Sequence, residues 1–154
     1  MNLARVEQEA LPILAERWRR ELAEAGPDAA TMLREQIAWA ERFSNVPPGQ
    51  WTGRVSVFDW GGVLVIGLPG EIFAETALMI RQACGDRPVF LIGYAHATPG
   101  YIPPASEFVH GGYEVEEAHR FIGMPGTFAP GSAEALAGAT QALVAVLART
   151  TAHP

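Results

Sequence analysis

Apolar residues recur at three- and four-residue intervals over positions 3–25 (Leu3, Val6, Ala10, Ile13, Leu14, Trp18), which predicts one face of a helix that Pro12 interrupts or kinks. Gly26-Pro27-Asp28 is a stop followed by a start. Helical spacing resumes over 29–43 through Met32, Leu33, Ile37 and Ala40, so residues 1–45 read as a helical hairpin. Asn45-Val46-Pro47-Pro48-Gly49 is a loop. Val55, Val57 and the run 64–68 then flank the turn cluster Asp59-Trp60-Gly61-Gly62, the pattern of a β-hairpin.

After Leu68 the period changes from strand to helix. Pro69 stands near the predicted helix start and Glu71 in its first turn, with the helix running through Phe73, Ala77 and Ile80 to about Ala83. Gly85-Asp86-Arg87-Pro88 ends it, and residues 89–93 are a short apolar run that reads as a buried strand. The order strand, helix, strand predicts an α/β arrangement with a parallel pair. Residues 94–131 are rich in Gly, Pro, aromatics and His, with one short helix around 115–121; a stretch this long is functional or an interface. Residues 132–149 form an alanine-rich helix, with Ser132 as cap and Leu136, Leu143, Val146 and Leu147 as its buried stripe. The predicted class is α/β: a small mixed sheet with flanking helices, an N-terminal helical hairpin and a C-terminal helix. Residues 54–150 make the α/β core, and the chain is one domain or the C-terminal half of a larger catalytic domain.

Composition narrows the function more than the fold. The chain has 154 residues, 49% of them hydrophobic, and a formal charge of -6, with no cluster of Lys and Arg to displace counterions from a phosphate backbone. Nucleic acid is not an expected partner. The single cysteine, Cys84, excludes an intrachain disulfide and reads as a small buried hydrophobe late in a helix. Charges interrupt the first 18 residues, so no signal peptide is evident, and no run approaches the ~20 apolar residues of a membrane span. As written the chain reads as soluble and cytoplasmic; as the downstream piece of a longer protein, its start would say nothing about targeting.

Glu71 and Tyr101 stand at the mouths of two apolar segments, where ligands collect in α/β sheets. A glutamate in a helix first turn also has a plain structural explanation, complementing the helix dipole. The stretch LPGEIFAETALMIRQA, followed by LIGYAHATPGYIPPASEFVHGGYE, resembles the C-terminal part of the catalytic domain of neutral/alkaline (non-lysosomal) ceramidases over residues 57–114. That resemblance implies zinc-dependent hydrolysis of an amide. It assigns the glutamate ligand to Glu71, the tyrosine ligand to Tyr101, and a further active-site tyrosine beside the amide to Tyr113. The two zinc histidines of the family belong to the upstream part of its domain, which this chain does not contain.

The histidines here are His96, His110, His119 and His153. His96 stands where the family tends to have Asn, five residues before Tyr101, and is the surrogate ligand or a group behind the ligands; loop hydrogen bonding is the alternative. Tyr113 and Glu114 follow Gly111-Gly112, a flexible approach to a site, with Glu114, like His96, a candidate group behind the ligands and a structural tyrosine the alternative for Tyr113. His110 and His119 read as surface histidines, and His153 as a terminal one without a role. Glu116, Glu117 and Arg120 read as a solvated helix face. Trp18, Trp39 and Phe43 read as core, Trp51 and Trp60 as core or edge cover.

The expected function is thus the C-terminal portion of a ceramidase-like zinc amide hydrolase, inactive alone. An N-terminal segment or separate subunit would complete it, on a lipid-amide or other amide substrate. The alternative is a non-catalytic binding or assembly domain derived from that fold, with the terminal helix and the helical hairpin as association surfaces in a homo-oligomer.

Overall fold

The computed structural model describes residues 1–7 and 9–151. The chain opens with a two-residue strand, β1 (Leu3–Ala4), followed by helices α1 (Leu11–Glu24) and α2 (Pro27–Phe43). Then come β2 (Ser56–Trp60), β3 (Val63–Gly67), β4 (Glu71–Ile72), α3 (Ala74–Ala83) and β5 (Val89–Ile92). The last third holds β6 (Tyr101–Ile102), a 3-10 turn (Ala105–Val109), α4 (Tyr113–Glu116), α5 (Ala118–Phe121), β7 (Thr127–Phe128) and α6 (Ser132–Thr151). The mixed α/β class expected from the pattern is the one observed, with small sheets, an N-terminal helical pair and a C-terminal helix. No helix among the described residues is long and apolar enough to cross a membrane.

The first helix begins later than its periodicity predicts. Pro12 lies in its first turn, where a missing N–H costs nothing, so it starts the helix rather than kinking it. The residues before it are claimed by other partners: Leu3 and Ala4 pair antiparallel with Phe128 and Thr127, and Asn2 bridges to Gln50. Arg5 donates to the carbonyls of Pro125, Phe43 and Val46. Helices α1 and α2 pack as the expected hairpin around Leu14, Trp18, Ile37, Trp39 and Phe43.

A second apolar cluster lies under the central sheet. Its order is β2-β3-β5, with β2 and β3 an antiparallel hairpin and β3 and β5 parallel, connected through α3. Leu64 and Ile66 point inward to Ile80 of α3 and to Leu136 and Val144 of α6. Cys84 closes α3 as a buried residue, its thiol donating to the Ile80 carbonyl at 3.2 Å.

Two expectations about burial need correction. Strand β5 is buried on one face only, because Phe90 and Ile92 are exposed; a short apolar run does not report whether anything covers its second face. Leu143 and Val146 of α6 are exposed, and the buried stripe is Ala133, Leu136, Ala137, Thr140 and Val144. Small residues let α6 lie close to its neighbours, so the stripe follows Ala and Thr rather than the larger apolar side chains.

Candidate functional site

The parallel pair β3 and β5 is continued, after a break in each chain, by the parallel pair β4 and β6. The break is stitched across. Ala95 N–H donates to Leu68 O at 2.9 Å, Tyr94 N–H to Gly70 O at 2.9 Å, Gly70 N–H to Ala97 O at 3.0 Å and Glu71 N–H to Gly100 O at 2.9 Å. Gly70 is what lets the two chains approach: its φ is 70°, and a Cβ there would lie 2.6 Å from the Gly100 carbonyl oxygen. The result is a fixed register in which Glu71 is the direct partner of Tyr101.

Glu71 therefore does not sit in the first turn of a helix. It belongs to β4, and α3 begins only at Ala74 after Phe73 as N-cap. The dipole explanation for this carboxylate falls away, because the stretch Gly70-Glu71-Ile72 is used for strand pairing before the helical spacing can start.

Glu71, Ile72, Phe73, Tyr94, Tyr101 and Glu114 line an open cleft of about 290 Å³. Its wall is a run of aromatic contacts, with ring centroids 6.2 Å apart for Phe73 and Tyr101 and 6.3 Å for Tyr101 and Tyr113. Tyr113 in turn stacks on Phe121 at 6.2 Å. Among the described residues the lining holds two carboxylates, Glu71 and Glu114, and no Lys, Arg or His, so the cleft is electronegative. The Tyr101 phenol is pushed up to about 12, first by its hydrogen bond to Glu71, then by desolvation and by the charges of Glu71 and Glu114. Tyr94 is raised by the same hydrogen bonding to Glu71. A carboxylate accepting from a phenol favours the protonated phenol.

Of the residues singled out by sequence, Glu71, Tyr101 and Glu114 line the cleft and Tyr113 touches its Tyr101 wall. His96 is not with them. Its Nε2 pairs with Ser56 Oγ at 2.9 Å at the end of the central sheet, with its backbone at φ 70°. His110 is exposed at the end of the 3-10 turn, and His153 lies outside the described residues. Tyr94 was not singled out. Its signal was position alone, a tyrosine immediately beyond the Val89–Ile92 strand, held at φ 57°, which non-glycine residues seldom adopt. Among the described residues no group of three or more His, Cys, Asp or Glu side chains stands close enough to hold a metal ion.

His119 and Arg120 are not surface groups. His119 Nε2 meets Glu7 Oε1 at 3.1 Å and Arg120 Nε meets the same oxygen at 3.3 Å, with Glu7 and His119 buried. The Arg120 guanidinium lies 5.3 Å over the Trp18 ring and the His119 ring packs edge-on against Trp39 at 5.2 Å. Local periodicity had assigned Arg120 to a solvated face; the partner that buries it, Glu7, is 113 positions away. This ion cluster ties the segment ahead of α1, and through Trp18 and Trp39 the helical hairpin, to α5, and its His119 lines a small void together with Tyr101 and Glu114 of the cleft. Comparison of the chain with protein-family models, with curated proteins and with solved structures finds no match.

Proposed function

We propose that this chain is the C-terminal portion of a ceramidase-like zinc-dependent amide hydrolase, in which Glu71 and Tyr101 supply two metal ligands. Two histidines would come from an N-terminal segment or a separate subunit. One observation carries the reading: Glu71 pairs in register with Tyr101 across β4 and β6, with both side chains on one open cleft. These are the two oxygen ligands that the resemblance assigns, and they are 30 positions apart in sequence.

The donors present suit half of a zinc shell, since zinc accepts carboxylate and other oxygen ligands beside imidazole nitrogen. Zinc held there would lower the pKa of a bound water and polarise the carbonyl of an amide. The chain's own residues have separate tasks. Glu71 and Tyr101 would hold the metal, and Glu71 is the group that accepts the Tyr101 phenol proton as a hydrogen bond. Tyr113, half exposed and in contact with the Tyr101 ring, donates from its phenol to the amide oxygen as charge develops there. The Glu114 carboxylate, the other acid of the cleft, takes the proton of the attacking water and returns it to the amine nitrogen as the C–N bond breaks. Tyr94 donates a hydrogen bond to the Glu71 carboxylate from within the same cleft.

The test is amide hydrolysis by the chain alone and after co-expression with the polypeptide encoded immediately upstream, using an N-acyl sphingoid and a simple fatty amide. The chain alone should be inactive and the pair active, with loss of zinc and activity in Glu71→Gln and Tyr101→Phe. Full activity from the chain alone overturns the divided site, and an active Glu71→Gln pair overturns the ligand role. An assembly that forms but never hydrolyses an amide favours the non-catalytic binding domain.

A further inference from the structure

One face of the central sheet is covered only at its Gly67 end, where the Ser56 and His96 side chains lie, and among the described residues it is otherwise open. Pairing register puts Phe58, Val65 and Phe90 in one row across β2, β3 and β5, with Trp60 beside Val63 in the next row. Residues directly opposite each other on paired strands point to the same side. These side chains therefore share the face opposite to Leu64 and Ile66, which are fully buried. Trp60 is 78% exposed, Phe90 68%, Phe58 60% and Ile92 49%. Trp60, Val63, Val65, Phe90 and Ile92 line an open trough of about 420 Å³.

The area sets the scale. An aromatic side chain carries about 150–250 Å², so Phe58, Trp60 and Phe90 at these exposures present roughly 400 Å². Ile92 and the two valines bring the face to roughly 500–600 Å². That is the upper end of the range for the largest apolar patch of an ordinary monomer, about 300–600 Å², and is about the apolar share of the ~800 Å² per partner of a stable interface.

We infer that this face is the interface of a homodimer, in which the β2-β3-β5 sheets of two copies pack face to face. The chemistry fits a second copy because the patch has no ionisable side chain in its rows. The net charge of -6 opposes self-association, and a contact made through these uncharged rows adds no like-charge pair to that cost. A flat apolar sheet face is complementary to itself across a two-fold axis, and stacked sheets bury such faces at a spacing of ~10 Å. The chain leaving β5 runs directly to Tyr94, so the covered face ends at the margin of the cleft. The inference does not depend on what that cleft does.

Sedimentation velocity of the wild-type chain over a dilution series tests it. The expected result is a species of twice the 16.6 kDa protomer mass at tens of micromolar, dissociating on dilution, and a protomer-sized species for Trp60→Glu/Phe90→Glu at every concentration. Both side chains lie outside the core, so circular dichroism of the variant should match the wild type. Acrylamide quenching of the wild-type protein is a second readout that needs no variant. Trp18 and Trp39 are buried and Trp60 is not, so quenching should rise on dilution as Trp60 is uncovered. A wild-type chain that stays protomer-sized at the highest concentration, a variant that still dimerises, or quenching independent of concentration each overturns the inference.

Discussion

Replacing Glu71 by Gln should release the tyrosines of the cleft. In the wild-type protein the Tyr101 phenol is held at about 12, with the hydrogen bond to Glu71 as the largest cause. Glutamine keeps the size of the side chain and one accepting oxygen but removes the charge that opposes a phenolate. Tyr101 should then titrate below about 12, moving toward the ordinary phenol value of ~10 without reaching it, because desolvation and the Glu114 charge remain. Tyr94, raised by the same carboxylate, should move in the same direction. The assay is tyrosinate absorbance after rapid pH jumps, with Tyr101→Phe and Tyr94→Phe assigning the transitions. The linked stability has a definite sign: a raised phenol pKa stabilises the folded form at pH below the unfolded value. That contribution is lost as pH climbs from about 10 to about 12. If Glu71→Gln leaves the Tyr101 transition where it was, the carboxylate does not face the phenol and the account of the cleft is wrong.

Two further predictions concern what holds the site and the helical hairpin in place. Gly70→Ala sets a Cβ against the Gly100 carbonyl at a φ of 70°, so it should cost about 2 kcal/mol or more in urea unfolding; wild-type stability would show that the β4–β6 contact is not tight. Glu7→Ala leaves His119 and Arg120 without their shared carboxylate and should cost about 3–5 kcal/mol by the same measurement. Burial raises the Glu7 carboxyl, but hydrogen bonding to His119 and the charges of His119 and Arg120 outweigh it, and the net direction is down. The wild-type protein should therefore lose this contribution as pH falls below the ordinary carboxyl value, and Glu7→Ala should show no such loss; equal acid sensitivity of both would refute the pairing.

The sequence was most informative where a period and its punctuation agree. The hairpin turn at Gly61-Gly62, the restart at Gly26-Pro27 and the parallel connection through α3 all follow from local pattern. Local pattern failed where a distant partner decides. Residues 3–4 have helical spacing yet pair with Thr127 and Phe128, and Arg120 has surface spacing yet meets Glu7. The cleft was legible in part. Glu71 and Tyr101 were identifiable from strand-end position and from the resemblance, whereas their direct register depends on the Gly70 and Gly100 contact, which no periodicity encodes. Tyr94 was invisible because its role depends on a backbone conformation, φ 57°, that the residue type disfavours. The open sheet face was hidden for a different reason: Phe90 and Ile92 look the same in sequence whether or not a layer covers them.

Zinc binding to the wild-type chain with free imidazole standing in for the missing nitrogen donors tests the central claim most directly, followed by calorimetry and zinc-edge absorption. Binding should be weak without imidazole and stronger with it. It should release a proton as Tyr101 becomes a ligand, and Glu71→Gln and Tyr101→Phe should each abolish it. Zinc that binds equally well to both variants, or that never binds with imidazole present, would contradict the assignment of Glu71 and Tyr101 as half of a metal site.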